Sequence, residues 1–289
     1  MNASEMPGGV SPRAIESPEV LEQRYASVRS RIASAAKRAG RREQDIVLVA
    51  VSKYAEPDQV RQLIRMGHRD FGENYVQNLI QRAATADEMV TRGRVLPNAK
   101  AAADLHSAVL GMPGAGLKDG ADRVRWHLIG HLQRNKVKKA LEFCRLIHTV
   151  DSLRLAEEIQ AAGTKREEPV EVLVQVNCSL EEQKTGCPPS AALHLCEQID
   201  TMIGVRVRGL MTMAAVSEKP EDSRGTFSRC YDLFDEIRKT GVGEGKFNIL
   251  SMGMSNDFEV AIEEGANIVR VGSAIFGEAR KSEVEEEKR

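Results

Sequence analysis

Ile46-Val47-Leu48-Val49-Ala50-Val51-Ser52-Lys53 is the stretch that decides the fold. Seven uncharged residues, most of them β-branched or aliphatic, run straight into a lysine. A continuous apolar run of this length reads as a strand buried on both faces, as in a parallel sheet. The lysine then sits where the surroundings change from core to pocket. Desolvation there penalises the ammonium form and makes the neutral amine accessible. A neutral amine is a nucleophile toward a carbonyl and forms a Schiff base with it. The plainer reading is a lysine that closes a strand and snorkels to water. The rest of the chain decides between the two.

Upstream, Ser17-Pro18-Glu19 predicts a helix start: a capping hydroxyl, proline in the first turn and an acid at the positive dipole end. Leu21, Tyr25, Val28, Ile32 and Ala36 follow at helical spacing, and Gly40 ends the run. Downstream the pattern alternates. Further strands are predicted at Arg69–Gly72, Trp126–Gly130, Leu146–Val150, Val170–Asn177, Val205–Met211, Phe247–Met252 and Ile268–Val271. Helical patterns lie between them: Glu56–Met66, a run bearing Val76, Leu79, Ile80 and Ala83, and a basic helix over Asn135–Leu141. Leu153–Ala162 follows behind the caps Asp151 and Ser152, then Ser190–Ile199, Asp222–Lys239 and a helix to Glu264 capped by Ser255. Eight strand–helix units predict an α/β fold: a single (β/α)8 TIM barrel with an extra N-terminal helix and an insertion after the second helix. Residues 1–16, rich in Gly, Pro and Ser, read as a disordered N-terminus. The barrel spans 17–280. It is interrupted at about 85–122 by an Ala- and Gly-rich stretch that reads as partly helical, and 281–289 form a charged tail.

Composition narrows the function. The chain has 289 residues, 42% of them hydrophobic, and its 41 basic and 42 acidic residues nearly cancel. No global field draws it to nucleic acid or to an anionic membrane. No apolar run approaches a membrane span, and Met1–Ser17 lacks the apolar core of a signal peptide. The five cysteines are odd in number, scattered and free of C-x-x-C pairs, so neither a zinc site nor a disulfide framework is indicated. A reducing cytoplasm is the natural inference.

In such a barrel the active groups collect at the C-terminal ends of the strands, and phosphate binds at the loops after strands seven and eight. Those ends read, in order, Lys53, Glu73-Asn74, His131, Asp151, Asn177, Met211-Thr212, Met252-Gly253-Met254-Ser255 and Gly272-Ser273. Gly253 and Gly272 permit close backbone approach, and Ser255 and Ser273 supply hydroxyls. Elsewhere such a Gly-Ser pair is only a turn. Arg270 lies between Val269 and Val271 in the eighth strand, on the opposite face from both. It needs a partner because it cannot readily lose its proton. That partner is an acid on a neighbouring strand, or else the ring nitrogen or phosphate of a ligand. A lysine at strand one facing an anion site at strands seven and eight suits a phosphorylated aldehyde, with pyridoxal 5′-phosphate (PLP) the obvious candidate.

Several segments carry a resemblance. They are Val51-Ser52-Lys53, Phe71-Gly72-Glu73-Asn74-Tyr75-Val76-Gln77, Trp126-His127-Leu128-Ile129-Gly130-His131-Leu132-Gln133, Arg208-Gly209-Leu210-Met211, Leu250-Ser251-Met252-Gly253-Met254-Ser255 and Val269-Arg270-Val271-Gly272-Ser273-Ala274-Ile275-Phe276-Gly277. In order, and across about residues 20–280, they resemble the PLP homeostasis protein family, the YggS-like proteins and the proline synthase co-transcribed homologue. The resemblance implies a barrel of the alanine-racemase N-terminal type with PLP held as a Schiff base to Lys53. It implies phosphate contacts from Ser255, Gly272 and Ser273, Arg270 near the pyridine nitrogen, and Asn74 and Met211 lining the pocket. The insertion is longer than the resemblance leads one to expect.

Two functions then compete. A two-base racemase needs a second proton-transfer group across from the lysine. In the resembled racemases it is a tyrosine from a further C-terminal β-domain. Here 12 residues follow Gly277, and Tyr25, Tyr54, Tyr75 and Tyr231 all fall in the barrel or its first helix. An arginine at the ring nitrogen also weakens the electron sink. The resemblance therefore implies a non-catalytic PLP binder that buffers and delivers the cofactor, with apo-PLP enzymes as candidate recipients; a monomer is the expectation, and the sequence leaves the oligomeric state open. His127 reads as a satisfied barrel histidine, and His68, His106, His148 and His194 show no ligand spacing. Arg134, Lys136, Lys138 and Lys139 read as a solvated face, or as a surface for a partner enzyme or a second anion.

Overall fold

The computed structural model describes residues 17–92, 123–181 and 183–278. Helix α1 (Pro18–Arg38) comes first, then β1 (Val47–Val51), α2 (Pro57–Arg65), β2 (Asp70–Glu73), α3 (Val76–Arg92) and β3 (Arg125–Leu128). The chain continues through α4 (Val137–Leu141), β4 (Cys144–Val150), α5 (Leu153–Gly163), β5 (Val170–Gln175), α6 (Pro189–Asp200) and β6 (Val205–Met211). It ends with α7 (Arg224–Lys239), β7 (Ile249–Ser251), α8 (Phe258–Glu263), β8 (Ile268–Val271) and α9 (Ser273–Phe276). The strands close into a barrel in chain order, every pair parallel. Closure pairs β1 with β8, with Val49 opposite Arg270. The predicted α/β barrel with its extra N-terminal helix is the fold observed.

Period-two alternation divides the core. Val269 and Val271 point outward into the large cluster shared with the helices. Val47, Val49, Leu146, Leu173, Met211, Ile249 and Ile268 fill the barrel interior. Arg270 shares the inward face with Ile268. Helix α1 lies outside the repeat and packs against α8, α9 and α2. Arg31 reaches Glu259 at 2.8 Å and Arg38 reaches Glu263 at 2.7 Å.

Several boundaries differ from the sequence reading for local reasons. Ser255 does not cap the helix after β7. The Asp257 carboxylate accepts the Met254 N–H at 2.6 Å and holds residues 254–257 as a turn, so α8 begins only at Phe258. Ser17 precedes α1 without a side-chain cap, because its hydroxyl engages the Glu19 side chain instead. β5 stops at Gln175, and the Asn177 amide donates to the Glu181 carbonyl at 2.8 Å, which closes a loop. Residues 85–92 of the predicted insertion are the end of α3. The rest of that insertion, the predicted disordered segment 1–16 and the charged tail 281–289 lie outside the described residues.

His68 ties α1 to β2. Its Nε2–H donates to the Asp70 carbonyl at 2.8 Å, so Nδ1 is left to accept the Tyr25 hydroxyl at 3.1 Å. Burial pushes its pKa down to about 4. The unfolded chain therefore takes up this proton first. His68 stabilises the fold fully above about pH 6.5, and the contribution is lost as pH falls toward the folded value. Urea unfolding should show stability dropping by up to about 3 kcal/mol across this window from His68 alone. His68→Gln should give a shallower dependence, and an unchanged slope would remove His68 as its source.

Candidate functional site

The C-terminal ends of the strands surround one cavity of about 530 Å³, a usual size for a small-molecule site. Lys53, Asn74, Ser255, Arg270, Gly272 and Ser273 all line it. The structure thus brings together six of the seven residues expected there. Met211 is the exception. It is the last residue of β6 and points into the apolar barrel interior, fully buried below the cavity. Two residues on, Met213 reaches the lining in its place.

Lys53 follows the end of β1, half-buried, with its Nζ 4.5 Å from the centre of the Tyr54 ring. The loop that carries it is anchored from behind. Ser52 donates to Glu73 Oε1 at 2.5 Å, and Arg82 Nε meets the same oxygen at 2.8 Å. Arg82 also donates to the Ala55 carbonyl at 2.7 Å. Burial raises the Glu73 pKa, while Arg82, the Ser52 hydroxyl and the Lys53 charge oppose that rise. Asn74 is placed by Gly130, because a Cβ there would come within 2.6 Å of the Asn74 Cα.

On the neighbouring part of the rim, after β7 and β8, the Ser255 hydroxyl oxygen accepts the N–H groups of Gly272 at 3.2 Å and Ala274 at 3.3 Å. Its own proton remains available as a donor. The N–H groups of Gly272 and Ala274 thus hold Ser255 in place, and the Ser255 and Ser273 hydroxyls are the donors left for an anion at this end of the cavity. Gly253 makes this approach possible. Its φ is +90°, and a Cβ would lie 2.5 Å from the Ala261 Cβ and 2.8 Å from the Phe258 Cα.

Between the two ends sits Arg270, 3% exposed. Nη1 donates to Ser251 Oγ at 2.6 Å and Nη2 to the Thr212 carbonyl at 2.9 Å. Among the described residues no carboxylate lies within ion-pair distance of it, so the acid on a neighbouring strand is not its partner. Burial pushes its pKa down to about 10, with the charge of Asp257 opposing. A five-donor fork with both amino groups held by neutral acceptors is fixed in orientation while no carboxylate among the described residues pairs with its charge. That combination suits an acceptor supplied by a ligand.

The comparisons agree with this geometry. The family described as "Alanine racemase, N-terminal domain" matches residues 24–280. The pyridoxal phosphate homeostasis protein of Aquifex aeolicus is 36% identical over 262 residues, covering 89% of this chain and 98% of that protein. This chain belongs to the pyridoxal phosphate homeostasis protein family. Two solved structures resemble it closely. One, a protein of unknown function from Bifidobacterium adolescentis, has 34% identity and a TM-score of 0.76 over 90% of this chain and 95% of that one. The other is a family relative, PipY of Synechococcus elongatus, solved with PLP bound. It has 27% identity and a TM-score of 0.67 over 89% of this chain and all of that one.

Sequence reasoning missed Ser251 and the Thr212 carbonyl, the two acceptors that hold Arg270. It also passed over His148, whose Nδ1 lies 3.0 Å from Ser251 Oγ. The signal was present in strand parity: Ser251 shares a face with Ile249, and His148 with Leu146. His127 is a satisfied barrel histidine, as read.

Gly253→Ala should lower stability by more than about 1 kcal/mol, since it combines a positive φ with a backbone collision. Urea unfolding checks this, and a wild-type midpoint would contradict the role given to Gly253.

Proposed function

We propose that this chain binds PLP through Lys53 and works as a carrier that buffers the cofactor and hands it to apo-PLP enzymes, without turning over amino acids. One observation carries the reading. A primary amine, hydroxyl donors suited to an anion and a guanidinium without an acid partner among the described residues line the same cavity, the groups that the aldehyde, phosphate and ring of PLP call for. Bound PLP supplies an aldehyde that a primary amine captures reversibly, and a ring that draws electrons. Lys53 presents the amine. Ser255 and Ser273, with Gly272 between them in the wall, hold the phosphate. Arg270 donates to the ring nitrogen, and Asn74 borders the ring.

The carrier reading rests on what surrounds this set. Arg270 cannot accept a proton, so it leaves a ring nitrogen unprotonated and weakens the ring as an electron sink. Tyr25 bonds His68, while Tyr75 and Tyr231 are exposed. Tyr54, beside Lys53, is the one tyrosine in the lining. A tyrosine opposite the lysine, which two-base racemisation of the resembled kind uses, is absent from the described lining. All five cysteines are free thiols, which supports a reducing cytoplasm. Among the described residues no helix is long and apolar enough to cross a membrane.

Protein mixed with PLP should turn yellow, and borohydride should fix the cofactor on the peptide containing Lys53. Lys53→Ala should lose both the colour and the adduct. Ser255→Ala and Ser273→Ala should each weaken PLP retention by about 1–3 kcal/mol, the scale of a hydrogen bond to a charged group. With a scavenger of free PLP present, the loaded protein should restore an apo-PLP enzyme faster than the free pool does. Recovery no faster than the free pool rejects delivery, and rapid racemisation of any amino acid that Lys53→Ala abolishes reinstates the enzyme.

A further inference from the structure

A line of polar side chains crosses the barrel interior from its N-terminal end to Arg270. Arg125, at the start of β3, grips Asp70, at the start of β2, with bonds of 2.8 and 2.6 Å. Asp70 Oδ1 lies 3.1 Å from His127 Nε2, His127 Nδ1 lies 3.0 Å from His148 Nε2, and His148 Nδ1 lies 3.0 Å from Ser251 Oγ. Ser251 Oγ receives Arg270 Nη1 at 2.6 Å. Both histidines, Ser251 and Arg270 are buried. The strands supply these groups from inward positions that apolar residues occupy elsewhere in the barrel.

The two ends of this line are one-way groups: a carboxylate only accepts and a guanidinium only donates. Asp70 therefore takes Nε2–H from His127. A neutral His127 then has Nδ1 as an acceptor, and it takes Nε2–H from His148. His148 Nδ1 accepts in turn, and the Ser251 hydroxyl proton turns toward it. The Ser251 lone pairs are left facing Arg270. Every link agrees with the next, and both rings are Nε2–H tautomers. One added proton breaks the sequence. A cationic His127 donates from both nitrogens, His148 must reverse, and the Ser251 proton loses its acceptor. Burial, with the charge of Arg270, holds the His148 pKa well below the usual histidine value, which keeps that ring neutral.

We propose that Asp70, His127, His148 and Ser251 are positioning residues for Arg270: a one-directional relay that locks Ser251 as an acceptor and so aims the charged fork into the cavity. A polar cluster that merely filled the interior would require no single direction and would not pass its state on to a ligand. The affinity part of the test rests on the PLP reading above, whereas the tautomer part does not.

The experiment uses the full chain labelled with ¹⁵N at histidine. Near neutral pH, His127 and His148 should both show the signature of a neutral ring protonated at Nε2. Ser251→Ala cuts the relay at one atom, and His148→Phe cuts it one residue further from Arg270. Each should loosen bound PLP by about tenfold, the lower end for a hydrogen bond to a charged group, and shift the visible band. Ser251→Thr, which restores the hydroxyl, should recover most of the affinity. A protonated ring or an Nδ1–H tautomer at either histidine overturns the relay. So do Ser251→Ala and His148→Phe proteins that bind PLP as the wild type does. Should His148→Phe fail to fold, Ser251→Ala and the wild-type tautomers decide. A wild-type protein that takes up no PLP refutes the functional reading, and the tautomers alone then decide the relay.

Discussion

A guanidinium that cannot shed its proton is buried inside the barrel, and the site depends on how that charge is accommodated. Arg270 is 3% exposed and holds two neutral oxygens, those of Ser251 and Thr212. Burying a charge without a counter-charge costs several kcal/mol unless its hydrogen bonds are well made. The Ser251 hydroxyl is a good acceptor only because its proton is drawn away by His148. The cation is thus compensated by a chain of oriented dipoles that ends on a carboxylate across the barrel. Among the described residues no carboxylate pairs with it, and its cavity side is left for a ligand.

The same constraint explains why the interior is divided. β1, β5 and β6 contribute only apolar residues, Val47, Val49, Leu173 and Met211, to these two groups, whereas β4, β7 and β8 contribute Leu146, Ile249 and Ile268 to the filling and, with β2 and β3, the polar line. The filling keeps water from the line, and with water excluded each bond in it is stronger. At the mouth, Ser52, Glu73 and Arg82 hold the Lys53 loop from behind, while Gly253 and Asp257 shape the turn that presents Ser255. Amine and anion donors are therefore carried on rigid supports, and pre-organisation of this kind lowers the entropic cost of binding a small ligand.

The barrel was legible because its signals are local and repeated: continuous apolar strands alternating with amphipathic helices. Six of the seven expected lining residues were legible because they stand at strand ends, where the fold places function. Met211 was misplaced because a strand end and a cavity wall differ by one inward position, and a sequence does not say how far the cavity descends. The N-cap assigned to Ser255 failed because Asp257 competes for the same turn, and a carboxylate accepts more strongly than a hydroxyl. Ser251, His148 and Asp70 stayed hidden for a different reason. Each is an ordinary polar residue on its own strand, and only barrel closure, which sets β2, β3, β4, β7 and β8 around one axis, joins them.

The central claim is that Lys53, Arg270 and the Ser255 and Ser273 hydroxyls act on one ligand. A crystal structure of the PLP-loaded protein tests it most directly. The account predicts the phosphate against Ser255, Gly272 and Ser273, the ring nitrogen at Arg270, and the aldehyde carbon joined to Lys53. A phosphate seated elsewhere, or an Arg270 turned away from the ring with its bond to Ser251 broken, would contradict it.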